Sequence, residues 1–411
     1  MKCTRHLIVG AAVGLAVVGY ELLPGPKGRS RLPAGPGVPM VSLGVTHGLA
    51  VASDGSLWSW GGQDSGRPVL GLPQTEFTGN LLRLGRDTNW VLVAAGAGHN
   101  LALRADGRIW AWGANWRGQL GNGVAGPNLG NGRLNVQDRP AQTVEGSDWV
   151  AVEAGDSSSY ALKRDGTLWA WGWNDYGQLG IGSWTNTATP VRVGTATNWV
   201  KVRAGGLSAA GIQSDGSVWI WGGSLALGPP RMQSPEDLPV PTRLTAETNW
   251  SDVSVTFNLS IAVKADGTLW AWGRNAYYFT GAAHDAGRAP TQVGHAADWR
   301  SVWSSQDGSQ HLLLKRDGTF WVMTPRELRK VGLPPKVLAA AAGGRAIAAI
   351  TREGEVWTCG TVLGQRRVKD RFLHWAEGRC RRLGWDAPWA REPRPIVHEE
   401  PWRLRNRDPH D

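Results

Sequence analysis

Cysteine is nearly absent: the 411 residues hold three, Cys3, Cys359 and Cys380. Three cannot build a disulfide framework, and no paired-cysteine motif marks a zinc or redox site. Cys359 and Cys380 remain a pair that an oxidising compartment would permit, with Cys359 alternatively a buried stand-in for a core tryptophan. No His-Glu-x-x-His, Asp-rich calcium loop, P-loop or dinucleotide fingerprint occurs, so no metal and no cofactor is expected. A strong charge is missing too. The 44 Lys and Arg exceed the 34 Asp and Glu by ten, and more than half of that excess lies in the two ends of the chain. No basic cluster marks one face, so no nucleic acid is expected as partner. A membrane-length apolar run is also lacking: Leu7 to Val18 falls short of the roughly 20 residues a spanning helix needs. With Lys2, Arg5 and His6 ahead of it, residues 1–20 fit a secretory signal peptide. No convincing small-residue cleavage site follows, which leaves a retained signal anchor open, with membrane contact only through residues 7–20. Either reading expects an exported protein.

Tryptophan and glycine are abundant instead, at 25 and 56 residues. They are placed regularly. Asp-Gly or its equivalent recurs at Asp54, Asp106, Asp165, Asp215, Asp266, Asp317 and Glu353, about every fifty residues. Asp-Gly between alternating apolar runs predicts a β-hairpin, with a type I′ turn in which both central residues take positive φ. After each turn comes an aromatic strand: Trp58/Trp60, Trp110/Trp112, Trp169/Trp171, Trp219/Trp221, Trp270/Trp272, then Trp321 and Trp357 alone. Before each hairpin lies a small-residue strand such as 91–96, and after it a Pro-x-Arg/Gln-Val strand such as 190–193. Four short strands repeated seven times predict an all-β, seven-bladed β-propeller of four-stranded antiparallel blades over residues 38–368. Residues 21–37 read as a Pro/Gly-rich linker. Residues 369–411 read as a basic, Trp-rich, mostly irregular tail, with one short helix possible over 370–382. Blade seven is expected to take its outer strand from 365–368, and the ring to close by side-chain packing without strand exchange.

Residues 95–121, AGAGHNLALRADGRIWAWGANWRGQLG, carry the fullest copy of the repeat. They closely resemble the regulator of chromosome condensation repeat family, and the resemblance spans residues 38–368. It implies the same seven-bladed fold. Its founding member is a nucleotide-exchange factor for a nuclear GTPase and binds chromatin. Secreted bacterial propellers of this kind inhibit β-lactamases, and a plant photoreceptor on this fold senses ultraviolet light through tryptophans. Fold alone does not choose among such functions.

The Trp of the W-x-W strands recur at one place in every unit, so Trp60, Trp112, Trp171, Trp221 and Trp272 read as inter-blade packing. Aromatics outside that pattern are the candidate binding residues: Trp116, Trp173, Tyr176, Trp184, Tyr277 and Tyr278, all in loops after the aromatic strand. His47 and His99 are repeat-equivalent, and Ser158 and Ser208 replace them later, which suits a hydrogen bond to a neighbouring blade better than catalysis. No catalytic constellation is present. The expectation is a non-enzymatic exported propeller that binds a protein through its loop face. The alternative is a binder of extracellular or cell-wall polysaccharide through the loop aromatics. A GTPase exchange factor or chromatin binder follows only from the resemblance.

Overall fold

A computed structural model describes residues 33, 35–62, 68–72, 78–126, 135–223, 237–281, 289–305, 308, 310–325, 327–334, 336–344, 346–360 and 381–382. They form seven four-stranded antiparallel sheets, each built from four consecutive strands. Blades one to seven run over 40–83, 90–142, 149–192, 199–243, 250–292, 299–330 and 337–382. Neighbouring blades pack face to face, and the apolar core lies between them. Loops joining strands one to two and three to four lie on one face of the ring. The Asp-Gly turns and the inter-blade linkers lie on the other.

The turns are hairpins of a different type from the one expected. In blade two, Gly107 N donates to Arg104 O at 2.9 Å and Arg104 N to Arg108 O at 3.1 Å. Gly107 takes φ +79°, whereas the only non-glycine with positive φ among the described residues is Lys336. This is a type I turn with a glycine bulge, and Asp106 keeps negative φ. The aspartate is needed for its carboxylate. In blade three Asp165 Oδ1 accepts Thr167 N at 3.0 Å and Thr167 Oγ1 at 2.7 Å, and Thr167 Oγ1 accepts Trp169 Nε1 at 2.9 Å. The same relay recurs through Asp54–Ser56–Trp58, Asp215–Ser217–Trp219, Asp266–Thr268–Trp270 and Asp317–Thr319–Trp321. In these five blades it ties the turn to the first tryptophan of the aromatic strand; blade two has Arg108 in place of the hydroxyl, and in blade seven Trp357 Nε1 donates to Glu355 Oε2 at 3.2 Å. The hydroxyl hydrogen bonds hold the carboxyls of Asp165, Asp215, Asp266 and Asp317 below the usual aspartate range.

A second repeated device stands beside it. The residue ending strand two is a cation lodged between two indoles: Arg104 over Trp90 and Trp110, Lys163 over Trp149 and Trp169, Lys264 over Trp250 and Trp270, Lys315 over Trp299 and Trp321. Each cation also meets an acid of the linker: Asp87, Asp148, Glu247 or Asp298. In blade four a neutral pair replaces the charges, with Asn198 Nδ2 donating to Gln213 Oε1 at 3.3 Å.

The ring closes without strand exchange, since each sheet is built from consecutive strands. The outer strand of blade seven is a correction. Arg381–Arg382 pairs with Val356–Gly360, so the blade reaches past the expected boundary at 368 into the expected irregular tail. The segment 365–368, the signal region 1–20, Cys380 and most of the 370–382 helix lie outside the described residues. Where blade seven meets blade one, Gly343 comes so near Leu43 that a Cβ would stand 2.2 Å from the Leu43 Cβ. The Gly343→Ala change is therefore expected to loosen this seam. Amide exchange within Val337–Gly343 and Met40–Leu43 should accelerate, with blades two to four little changed; uniform acceleration around the ring would show that the seam is not a separate weak point.

Candidate interaction face

The loops between strands three and four are shaped by the Asn-x-x-Gly-Gln-Leu-Gly motif. In blade two Asn115 is fully buried; its Oδ1 accepts Leu120 N at 3.0 Å and its Nδ2 donates to Asn122 Oδ1 at 2.9 Å. Gln119 Oε1 accepts Arg117 N at 2.8 Å. Blade three repeats this: Asn174 Oδ1 accepts Leu179 N at 2.9 Å, and Gln178 Oε1 accepts Tyr176 N at 2.9 Å. Each loop is braced on the next blade. Gly123 N donates to Ala188 O at 2.9 Å, and Gly182 N to Pro239 O at 2.8 Å. The motif residues turn inward, so the variable positions between them are presented outward on a fixed frame.

Those positions bring Trp173 and Tyr176 together in an edge-on pair, 5.4 Å between centroids at 89°. Trp173 Nε1 donates to Asp175 Oδ2 at 2.7 Å. From blade two, Arg117 Nη1 lies 3.4 Å from the same oxygen, with its guanidinium 5.5 Å from the Trp173 ring. Trp173, Asp175 and Tyr176 are half-buried and Arg117 is exposed. Trp184, in the same loop, packs its Cζ3 3.0 Å from where a Gly177 Cβ would be. Trp116 is half-buried next to Arg117, and its carbonyl accepts Gly126 N at 2.9 Å.

Tyr277 and Tyr278 stand apart on blade five. There the chain makes one helical turn, Tyr277–Thr280, ended by Gly281 at φ +68°, in place of the Gly-Gln-Leu loop. Their rings lie 4.0 Å apart, and the hydrogen bond between them raises the Tyr277 hydroxyl pKa. Tyr278 is 45% exposed, and Phe257, on a strand one-to-two loop of the same face, is 37% exposed. By contrast Trp60, Trp112, Trp171, Trp221 and Trp272 are 0–1% exposed. Trp112 Nε1 donates to Val69 O at 2.9 Å and Trp171 Nε1 to Gln119 O at 3.0 Å, each in the preceding blade.

The histidines bridge blades. His47 Nε2 donates to Asn100 Oδ1, and His99 Nε2 hydrogen-bonds Ser159 Oγ at 2.9 Å. Burial pushes their pKa values down, to about 4 for His47 and about 3 for His99. Among the described residues no cluster of His, Cys, Asp or Glu suited to a metal ion occurs.

Sequence reasoning missed one constellation. On the first strands of blades three, four and five, Glu153, Lys201, Arg203 and Asp252 form a buried network. Lys201 Nζ lies 2.7 Å from Asp252 Oδ1, Arg203 lies 3.8 Å from Glu153 and 4.0 Å from Asp252, and Asp252 Oδ2 accepts Val302 N of blade six at 3.2 Å. Burial raises the Glu153 pKa and lowers that of Lys201. The network balances two positive against two negative groups. It fixes the mutual position of four blades rather than offering a reactive group. Charges two residues apart in Lys201-Val202-Arg203 were the available signal, since both point to one side of a strand.

Comparison with known proteins agrees with this architecture. The family model of the RCC1-like domain matches residues 17–314. The ultraviolet-B receptor UVR8 of Arabidopsis thaliana is 30% identical over 267 residues, 64% of this chain and 59% of the receptor. The human probable E3 ubiquitin-protein ligase HERC6 is 33% identical over 145 residues, 35% of this chain and 14% of the ligase. The chain thus spans less than two thirds of either relative. Among solved structures, human WBSCR16 superposes with a TM-score of 0.63 at 19% identity, covering 80% of this chain and 95% of that one. Prp20p of Saccharomyces cerevisiae gives 0.54 at 23% identity, covering 64% and 66%. The chain belongs to the RCC1-like domain family.

Proposed function

We infer that this propeller is a protein-binding module that engages its partner through the face carrying the strand three-to-four loops. The observation that supports it is the Arg117–Asp175–Trp173–Tyr176 cluster, held on a braced frame and joined on the same face by the exposed Phe257 and Tyr278. Arg, Trp and Tyr are the residue types that dominate binding energy at interfaces, and pre-organised loops reduce the entropy lost on docking. The fold is used this way elsewhere: yeast Prp20p binds Gsp1p and histones. At 23% identity that likeness carries the fold and not the partner.

Residues 1–20 support export of the module, and N-terminal sequencing of fractionated mature protein tests it. Affinity capture with the full chain, compared with a Trp173→Ala/Tyr176→Ala variant, tests the face. A partner held by the wild type should be lost from the variant, with melting unchanged. Equal recovery by both would move the interface elsewhere. Glycan-array binding lost on Trp116→Ala or Trp173→Ala would instead support the polysaccharide alternative.

A further inference from the structure

The boundary between blades two and three holds an open cleft of about 370 Å³, lined by Asn122, Thr143, Glu145, Trp149, Lys163 and Trp169 among others. Its neighbours around the ring show why it is open. In the first three blades the residue after the loop-closing glycine stands at this groove. It is Leu72 between blades one and two and Ile181 between blades three and four, and both pack into the apolar cluster there. The residue after the last strand-three partner, next to Arg83 or Arg192, is Leu84 or Val193, both buried. At the corresponding two places beside blade two stand Asn122 and Thr143. At the first place an apolar plug has become polar; at the second Thr143 stands beside Val144, which is buried and packs on Gly121 as Leu84 packs on Gly71.

Neither polar group is committed to filling the space. Asn122 turns its Oδ1 back to Asn115 Nδ2 at 2.9 Å and to Val124 N at 3.2 Å. Thr143 Oγ1 is shielded from solvent and has no hydrogen-bond partner. An unmet buried hydroxyl is disfavoured unless something else satisfies it. The edge-on Trp149–Trp169 pair, 6.0 Å apart, forms the floor together with Lys163, whose ammonium lies 4.8 and 5.0 Å from the two ring centroids. Lys163 Nζ spends one of its three donors on Asp148 at 3.1 Å.

The lining selects a ligand class. An anion would meet the carboxylates of Glu145 and Asp148. A cation would meet Lys163. A neutral ring with an apolar face and a rim of hydroxyls meets an indole floor, a donor at Lys163, an acceptor at Glu145, and groups of both kinds at Asn122 and Thr143. The volume lies within the range of about 300–1,000 Å³ typical of small-molecule sites. We propose that the cleft between blades two and three is a binding site for a neutral hexopyranose unit. It is separate from the Trp173 cluster and does not depend on the protein-binding role of that face.

Saturation-transfer difference NMR on the full chain tests this with methyl glucopyranoside, mannopyranoside and galactopyranoside as probes. At least one should receive saturation from the protein. Asn122→Leu, which restores the plug found as Leu72, should abolish the transfer. Thr143→Val should weaken binding roughly fivefold, the factor for one hydrogen bond. Thr143→Val should melt at or above the wild-type temperature, because it removes an unmet hydroxyl. Asn122→Leu also removes the acceptor of Asn115 Nδ2 and Val124 N, so circular dichroism establishes its fold before its transfer is read. Trp173→Ala should leave the transfer intact. Absence of transfer to all three probes, or undiminished transfer to the folded Asn122→Leu variant, would overturn the proposal.

Discussion

Replacing Trp171 by alanine is expected to destabilise the propeller by about 3–5 kcal/mol, the range for truncating a large buried aromatic. Trp171 has no exposed surface, and its indole spans the joint between blades two and three. Truncation leaves a cavity that the rigid strands cannot collapse around. It also removes one of the two donors to the Gln119 carbonyl, leaving Ser159 Oγ. Trp169, two residues earlier on the same strand, is half-buried and makes its hydrogen bond within its own blade, to Thr167. Trp169→Ala should therefore cost distinctly less. Urea unfolding of both variants measures the difference, and a loss under about 1 kcal/mol at Trp171 would remove it from the core.

Acid should destabilise the fold well before the carboxylates titrate. His47 and His99 are buried and neutral, with pKa values pushed down by burial to about 4 and about 3. In the unfolded chain both return to about 6.5. Between those limits the unfolded state binds more protons than the folded one, so stability falls as pH drops from 6.5 toward 4. Every tenfold loss of proton affinity on folding is worth roughly 1.4 kcal/mol, so His47 alone removes about 3 kcal/mol by pH 4, and His99 adds a comparable amount. Glu153 acts in the opposite sense, because burial raises its pKa and the folded state takes up its proton first. Urea midpoints between pH 7 and 4 check the balance. A His47→Gln/His99→Gln variant should show a much flatter profile over that window. A wild-type profile already flat from pH 6.5 to 4.5 would mean that the histidines are not buried neutral.

The number of blades was legible because the features that build a blade repeat: the Asp-Gly turn, the paired tryptophans and the glycines. The burial of Trp112 and Trp171 follows from their fixed place in that period. The turn type was misread because Asp-Gly has two hairpin solutions, and the side-chain relay from Asp165 through Thr167 to Trp169 favours the one that keeps the aspartate at negative φ. The outer strand of blade seven escaped because a two-residue strand, Arg381–Arg382, has no pattern to recognise. Within the candidate face, the loop aromatics stood out by breaking the repeat. Their partners did not: Arg117 and Asp175 lie on different blades, 58 residues apart. The buried network of Glu153, Lys201, Arg203 and Asp252 was hidden for the same reason. A contact across blades leaves no local period.

The turns between strands one and two carry a wider consequence. A Cβ on Gly44 would stand 2.1 Å from Gly96 O, one on Gly96 2.6 Å from Gly155 O, and one on Gly155 2.8 Å from Gly205 O. Backbone thus rests on backbone across the first four wedges, with glycine as the thinnest possible shim, while Thr256 and Ser305 take this place in blades five and six. Errors in such an arch accumulate, since wedge angles must sum to a full turn before the first and last can meet. A blade grafted among the first four would have to bring its glycine with it and displace another blade. Drift in outer loops such as 116–117 or 277–280 leaves the angle untouched. The circle can therefore keep its count while its rim is rewritten one loop at a time.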